Sequence, residues 1–446
     1  MMISRRWLSL LACVVGFVSP AMAADSVTPE DYLWRQARAG EVADFNAFCK
    51  AEQPDIEKPD DPLWRASCRT IVASKLRALL TRPNLADLTP HGVRIRGAFV
   101  NGRLDLGDAH VKASRLEIER SLLNGDVGMD QSVFDGSLSL GGSRVTGELT
   151  ARYAAVGHLL SLTDTMVDGA VDFESSRVKG DVDAGEAKFG GPVTFRDAHV
   201  EGKVSLNDAK VEKDQAFDAQ GLQVGKGGLF LRNAEFGGSV TFRAAHVEGQ
   251  MSMTGAKVGK DQAFDAQGLQ VGKGGLFLRN TEFGGSVTFR DAHVEGQMSM
   301  NATKVGKDQA FDAQGLQVGK GGLFLDNAEF GGSVTFRSAH VEGPMSMNAT
   351  KVGKDQAFDA QGLQVGKGGL FLRNAEFGGS VSFRDAHVEG QMSMEGASHD
   401  SRTNCRPRWG AANLTVLKAS ECQNGWLIIT PICLSTRMAS PASGLC

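Results

Sequence analysis

Histidine and glutamate recur together through the second half of the chain, always within the sequence His-Val-Glu-Gly and 47 residues apart. Imidazole nitrogens and carboxylate oxygens both bind metal ions, so each His-x-Glu pair is a candidate surface site. An arginine precedes each histidine by three positions. The candidate residues are His199, His246, His293, His340 and His387, with Glu201, Glu248, Glu295, Glu342 and Glu389.

A block of 47 residues carries these pairs. It begins VGKDQAFDAQGLQ at Val258, Val305 and Val352, and a close copy, VEKDQAFDAQGLQ, begins at Val211. Each block divides into four shorter units of similar length, which in the third copy begin at positions 305, 318, 330 and 341. Self-similarity at a fixed period indicates a repeat architecture, in which each unit packs against its neighbours.

Within the shorter units, apolar or small residues fall at offsets 0, 4, 6 and 9, as at Phe330, Val334, Phe336 and Ala339. The pattern predicts very short strands with a corner every five or six residues, and it lacks the spacing of an amphipathic helix. A chain with such corners coils, and the coils stack about 4.8 Å apart through backbone hydrogen bonds. We therefore predict an all-β solenoid with about 22–25 residues per coil, hence two coils per block.

The sequence Asn327-Ala328-Glu329-Phe330-Gly331 resembles the five-residue frame of pentapeptide-repeat proteins, and so does the segment NLADL at 84–88. The resemblance covers roughly residues 89–397 and implies a four-sided β-helix. Every second frame here holds a sixth residue, so a right-handed parallel β-helix is the alternative cross-section. The resemblance implies a fold and no particular function.

The coil interpretation bears on the histidine–glutamate pairs. Equivalent histidines lie two coils apart, about 10 Å by the strand spacing, whereas zinc ligands lie about 2 Å from the metal. We therefore interpret the pairs as a solvated face with weak arginine–glutamate pairing. No catalytic residue, metal site or cofactor is predicted. Neither a phosphate-binding loop nor a dinucleotide fingerprint occurs in the sequence.

The chain divides into four regions. Residues 1–23 read as a secretory signal, with a basic start, an apolar stretch and a small-x-small cleavage site. Residues 24–88 are expected to form a helical hairpin that caps the solenoid. Residues 89–397 are the solenoid, with diverged units over 89–210 and four 47-residue repeats over 211–397, in 13 or 14 coils. Residues 398–446 are either a C-terminal cap or an irregular tail from an altered reading frame.

In the predicted cap, the first helix would start at Thr28 and run to about Cys49, and the second would start at Asp61 and include Cys68. Cys49 and Cys68 are then a candidate disulfide that joins the two helices, with a pair of free buried thiols as the alternative. Four further cysteines lie near the end of the chain, and their connectivity is open; they are Cys405, Cys422, Cys433 and Cys446.

Composition and unit length reduce the number of function classes that the sequence supports. The chain carries 48 basic and 52 acidic residues, a net charge of −4, and thus no basic footprint for nucleic acid. Beyond the signal, no apolar run is long enough to span a membrane. The solenoid units are uniformly short, and the longest in the third block runs only from Val305 to Gln317, which leaves no long loop to build a catalytic pocket.

Two hypotheses follow. The first is an exported, non-catalytic structural or adhesive rod, periplasmic, cell-surface or secreted, that binds a protein, a cell-envelope polymer or another copy of itself. Its repeated surface suits avidity. The alternative is a carbohydrate-active β-helix enzyme, a polysaccharide lyase or hydrolase, with its site where the rod meets a cap.

Overall fold

The computed structural model describes residues 27–89, 91–399, 417–423 and 426–431. Between Val93 and His399 the chain forms a parallel β-solenoid of about 13 turns with four sheets, one on each side. This confirms the predicted fold class, and the cross-section, which the sequence left open, is four-sided. Coil length is also as predicted, since Lys210 pairs with Glu235 of the next coil and Glu235 pairs in turn with Lys257.

Each coil contributes one short strand to each of four sheets, which we name A to D in chain order.

The strands of sheet A are Ala43–Asp44, Val93–Arg96, Arg115–Glu119, Ser137–Ser139, Leu160–Ser161, Val182–Asp183, Lys203–Ser205, Gly228–Phe230, Met251–Ser252, Leu276–Phe277, Met298–Ser299, Leu323–Phe324, Met345–Ser346, Leu370–Phe371 and Met392–Ser393. The strands of sheet B are Thr70–Val72, Phe99–Asn101, Leu122–Asn124, Arg144–Val145, Met166–Val167, Lys188–Phe189, Lys210–Val211, Glu235–Phe236, Lys257–Val258, Glu282–Phe283, Lys304–Val305, Glu329–Phe330, Lys351–Val352, Glu376–Phe377 and Ser398–His399. The strands of sheet C are Leu104–Asp105, Val127–Gly128, Leu149–Thr150, Val171–Asp172, Val193–Thr194, Phe217–Asp218, Val240–Thr241, Phe264–Asp265, Val287–Thr288, Phe311–Asp312, Val334–Thr335, Phe358–Asp359 and Val381–Ser382. The strands of sheet D are His110–Val111, Val133–Phe134, Ala155–Val156, Arg177–Val178, His199–Val200, Gln223–Val224, His246–Val247, Gln270–Val271, His293–Val294, Gln317–Val318, His340–Val341, Gln364–Val365 and His387–Val388.

The apolar positions of the repeat fill the interior of the coil. Phe330, Val334, Phe336 and Ala339, which defined the pattern, are each at most 2% exposed. Phenylalanine rings beneath sheet C follow one another along the rod, with centroids 5.6–6.1 Å apart from Phe217 to Phe383. The core is therefore one continuous column in which each coil packs only on its neighbours.

The N-terminal region differs from the predicted two-helix hairpin. Its helices are Pro29–Ala39, Phe45–Cys49, Ala73–Leu80 and Leu85–Leu88. The first helix ends at Ala39, well before its predicted end, because Gly40 adopts a left-handed conformation (φ 75°) and closes the helix end. The second predicted helix was wrong at its start, since Thr70–Val72 pairs with Phe99–Asn101 as a strand. The segment 84–88, taken as a pentapeptide frame, is mostly helix.

Two strands of this region extend the solenoid. Ala43–Asp44 pairs with the strand of Ile95, and Thr70–Val72 pairs with the strand of Val100, so sheets A and B each have 15 strands while C and D have 13. Leu33, Leu76 and Leu80 join the solenoid core. The N-terminal region thus covers the first full coil partly by continuing its sheets and partly by packing helices onto it.

Cys49 and Cys68 form a disulfide with their Cα atoms 5.5 Å apart. Cys49 ends a helix, but Cys68 lies in a turn, so the bond does not join two helices as predicted. Next to it, the buried Arg69 guanidinium donates to the Asn46 amide oxygen and to the Gly97 carbonyl at 2.9 and 3.0 Å. Burial lowers the pKa of Arg69 from its ordinary value.

Two of the predicted regions fall largely outside the described residues. The signal at 1–23 lies wholly outside them. Beyond His399, two strands are described, Leu417–Gln423 and Trp426–Pro431, which pair antiparallel; the expectations for a disulfide-linked cap at Cys405, Cys433 and Cys446 lie outside the described residues. None of the helices in the described part of the chain has the length and apolar composition needed to cross a bilayer.

Candidate functional site

Outward side chains form a row on each side of the solenoid. Within the 47-residue blocks the coils alternate between two sequences, so each row alternates between two residue types. The register gives serine and phenylalanine on sheet A, lysine and glutamate on sheet B, threonine and aspartate on sheet C, and histidine and glutamine on sheet D. Each of these rows therefore repeats at two coils, about 9.6 Å along the rod.

The histidines selected from the sequence lie on sheet D and are exposed. Each of the first four is hydrogen-bonded through Nδ1 to a glutamine Oε1 of the next coil at 3.1–3.3 Å. The partners are Gln223, Gln270, Gln317 and Gln364. The glutamates two positions on are exposed as well. Among the described residues no group of three or more His, Cys, Asp or Glu side chains is placed to hold a metal ion.

The arginines of the block pair with aspartates rather than with the glutamates expected from the sequence. Arg290 Nη2 lies 2.6 Å from Asp312 Oδ2, and equivalent pairs form at Arg196–Asp218, Arg243–Asp265 and Arg337–Asp359. The aspartate is the outward residue of sheet C in the next coil, where it pairs in register with Thr288, two residues before the arginine. The hydrogen bond to Asp218 raises the pKa of Arg196. Charges on sheet C are thus neutralised within the face.

Sheet B carries a long groove that the sequence did not predict. Its volume is about 1130 Å³, and it extends across eight coils between Lys210 and Glu376. Exposed lysines and glutamates alternate along it, and Lys257 and Lys351 approach Glu235 and Glu376 at 3.8 Å. The groove is shallow and open, so it is suited to an extended chain rather than to a small molecule.

Unequal corners between sheets B and C produce this groove. In one coil the corner is the long Lys260-Asp261-Gln262, and in the next it is the short Gly284-Gly285. A Cβ atom on Gly284 would lie 2.3 Å from the Gly259 carbonyl oxygen and 2.6 Å from the Lys260 Cα, so the short corner fits only without side chains. The long corners of alternate coils contact each other across this short corner, since Gln309 Nε2 donates a hydrogen bond to Asp261 Oδ1 at 3.5 Å. They form one wall of the groove.

Sheet A presents the only outward aromatic row of the blocks within the described residues. Phe230, Phe277, Phe324 and Phe371 are half-buried and alternate with serines, most of which lie buried between the rings. Three of the rings have an exposed arginine stacked on them, with the guanidinium carbon 5.1–5.9 Å from the centroid. These are Arg232, Arg279 and Arg373.

The third block differs at this arginine position. Asp326 stands there, and its carboxylate accepts from the Ser346 hydroxyl at 2.5 Å and from the Asn348 backbone at 2.8 Å. In the second block Arg279 Nε instead donates to Ser299 Oγ at 3.0 Å. The chain therefore holds both an arginine and an aspartate version of the same surface site.

A smaller cleft of about 580 Å³ lies where the N-terminal region meets the rod, lined by Gly40, Glu41, His91, Arg94, Ser114 and Arg115. The Arg94 guanidinium crosses it to donate to the Gly40 carbonyl. This is the junction at which the alternative, enzymatic hypothesis expects a site. It brings together a carboxylate, an imidazole and two guanidinium groups.

The fold defines a class, the four-sided parallel β-solenoid. Residues 162–210 match the family model for pentapeptide repeats, with nine copies. The chain therefore folds as a pentapeptide-repeat β-solenoid, and the matched segment lies wholly in the diverged units upstream of the four blocks. Searches of curated proteins and of solved structures find no match to the chain.

Proposed function

We propose that this protein is an exported, non-catalytic binding rod that attaches to a long, periodic partner such as a cell-envelope polymer. The observation that carries the proposal is the two-coil repetition of every outward row over four blocks. A rod with closely similar sites about 9.6 Å apart matches a partner with its own regular repeat. Many weak contacts then add to a strong attachment.

The surface chemistry supports binding over catalysis. The groove on sheet B and the rows on sheets C and D show nearly the same side chains at each block, with Ser382 and Ser398 in the strands of the fourth block as the exceptions. A single active site would need only one set of these side chains. Export is supported by the basic, apolar and small-x-small segments at 1–23. The disulfide at Cys49 and Cys68 suits an oxidising compartment.

A pull-down tests the proposal. The chain from residue 24 onward is immobilised and incubated with cell-envelope fractions, and cells expressing the full chain are fractionated in parallel. We expect a polymer fraction to be retained and the full chain to be recovered outside the cytosol. Retention of no envelope component, or recovery of the chain in the cytosol alone, contradicts the proposal.

The cleft beside Glu41 and His91 favours one second candidate, a carbohydrate-active enzyme. A carboxylate and an imidazole in one cleft are the groups that general acid–base chemistry uses. Release of reducing ends from acidic polysaccharides, lost in Glu41→Gln and retained in the surface variant His293→Gln, would establish this candidate. Equal release by the Glu41→Gln protein, or none by either, removes it.

A further inference from the structure

We propose that sheet A binds a linear anionic polysaccharide, with an aromatic ring contacting the glycan at every second coil and an arginine beside three of the four rings. This assignment rests on the proposed function and gives the chemistry of the partner. It concerns the surface formed by Phe230, Phe277, Phe324 and Phe371 with their neighbouring arginines, which we name the aromatic row.

The aromatic row has the shape that a sugar chain requires. Its rings are half-buried, so each is fixed by packing while part of it stays accessible. Between Phe277 and Phe324 lies Ser299, which is fully buried, so the surface alternates raised rings with depressions. Successive rings are two coils apart, about 9.6 Å. A sugar presents an apolar C–H face that packs on an aromatic ring, and every second sugar of an extended chain presents the same face.

The arginines supply the charge preference. Arg232, Arg279 and Arg373 are exposed, and none of them forms an ion pair with a carboxylate in the described part of the chain. Stacking on the ring helps to hold each guanidinium in place. Guanidinium groups bind carboxylates and sulfates through paired hydrogen bonds. A glycan with acidic groups at a regular interval therefore fits better than a neutral one.

Polar side chains beside the rings complete the match. Gln250 and Gln297 are half-exposed at the start of the serine strands, and Thr254 and Asn301 are half-exposed at their ends. Amides and hydroxyls both donate and accept, which suits the hydroxyl groups of a sugar. Aromatic surface and hydrogen-bonding groups thus alternate along the same line.

The other three faces lack this combination. Arginines on sheet C are paired with aspartates, lysines on sheet B alternate with glutamates, and histidines on sheet D are bonded to glutamines. Those rows carry no aromatic ring at the outward position within the described blocks. Of the four rows in this part of the chain, sheet A alone combines aromatic surface with unpaired positive charge.

The blocks themselves provide matched variants. Phe277→Ser and Phe324→Ser introduce the residue found in the alternate coils at the same sheet position. Arg279→Asp makes the second block like the third, and Asp326→Arg makes the third like the second. His293→Gln on sheet D is the control, because glutamine already occupies the alternate coils there.

Calorimetric titration with polygalacturonate and with alginate oligosaccharides, and with an uncharged β-1,4-glucan for comparison, tests the proposal at low salt. We expect at least one acidic glycan to bind more tightly than the neutral one. The Phe277→Ser, Phe324→Ser double variant should lose about tenfold or more in affinity for that glycan. Each exchange between arginine and aspartate should change the affinity about fivefold. Arg279→Asp should weaken binding, Asp326→Arg should strengthen it, and His293→Gln should leave it unchanged.

The proposal is overturned if neither acidic glycan binds, or if the double phenylalanine variant, shown by circular dichroism to be folded, binds as well as the parent. An equal loss in the His293→Gln control also overturns it. If envelope fractions are still retained in either case, the assignment to sheet A fails while the binding rod stands. If no envelope fraction is retained at all, the proposed function itself fails.

Discussion

Single residues at the corners show how closely the copied blocks follow backbone requirements. The corner after sheet A needs a left-handed residue in every coil, and the equivalent positions 255, 302, 349 and 396 hold Gly, Ala, Ala and Gly, with φ between 53° and 75°. Glycine adopts this conformation at no steric cost, whereas alanine is strained there by about 1–2 kcal/mol. The alanines are therefore local weaknesses in an otherwise regular rod.

Replacing Ala302 with glycine should stabilise the protein by about 1 kcal/mol, because it removes the left-handed strain and copies the residue at 255. The measurement is the urea midpoint of unfolding. Gly284→Ala is the contrasting variant and should lower the midpoint, since its Cβ would meet the backbone of the neighbouring coil at 2.3 Å. A lower midpoint for Ala302→Gly would show that the corner strain is not as described.

Residue types predicted the interior much better than the surface. The offsets 0, 4, 6 and 9 identified the inward residues, because burial imposes a strict pattern on a short strand. Which outward residues become neighbours depends instead on coil length, and longer and shorter coils alternate along sheet B. The pairing of Arg290 with Asp312 and the row of Phe277 and Phe324 could be recognised only once that register was known.

At the scale of elements, the N-terminal region is a cap that shares strands with the rod. Its helix lengths could not be read from apolar spacing alone, since Ile71 and Val72 fit either a helix face or a strand. Residues 70–72 form a strand because Thr70–Val72 pairs with Phe99–Asn101, a contact between segments that are distant in sequence. The disulfide between Cys49 and Cys68 closes the loop that connects the two cap strands.

Removing this disulfide should destabilise the cap more than the repeats. A bond across 19 residues is expected to contribute about 3 kcal/mol, and solenoid coils interact only with their neighbours. In the Cys49→Ser, Cys68→Ser variant, hydrogen exchange should quicken within residues 27–89 and change little in the four blocks. Parent protein treated with dithiothreitol should behave as the variant does. Faster exchange along the whole rod would contradict local stabilisation.

At the scale of the whole molecule, the four blocks are extra length on a shorter, diverged solenoid. Each block is two coils, and the first three end on a lysine of sheet B, so residues 258–304 or 258–351 can be deleted with the Lys–Val junction preserved. The shortened rods should fold, because every remaining coil keeps its usual neighbours. What they lose is the number of repeated surface sites.

The dependence of binding on block number tests the central claim most directly. Affinity for the retained envelope polymer is measured for the parent, for the two block deletions, and for a control that lacks residues 189–210. This control removes one coil of the diverged half and joins Lys188 to Val211, which preserves the lysine–valine register of sheet B. Because linked sites multiply in avidity, deletion of two blocks should weaken binding by about a hundredfold or more while the control changes little. Equal affinity across the folded deletion series would contradict the account of the protein as a multivalent rod.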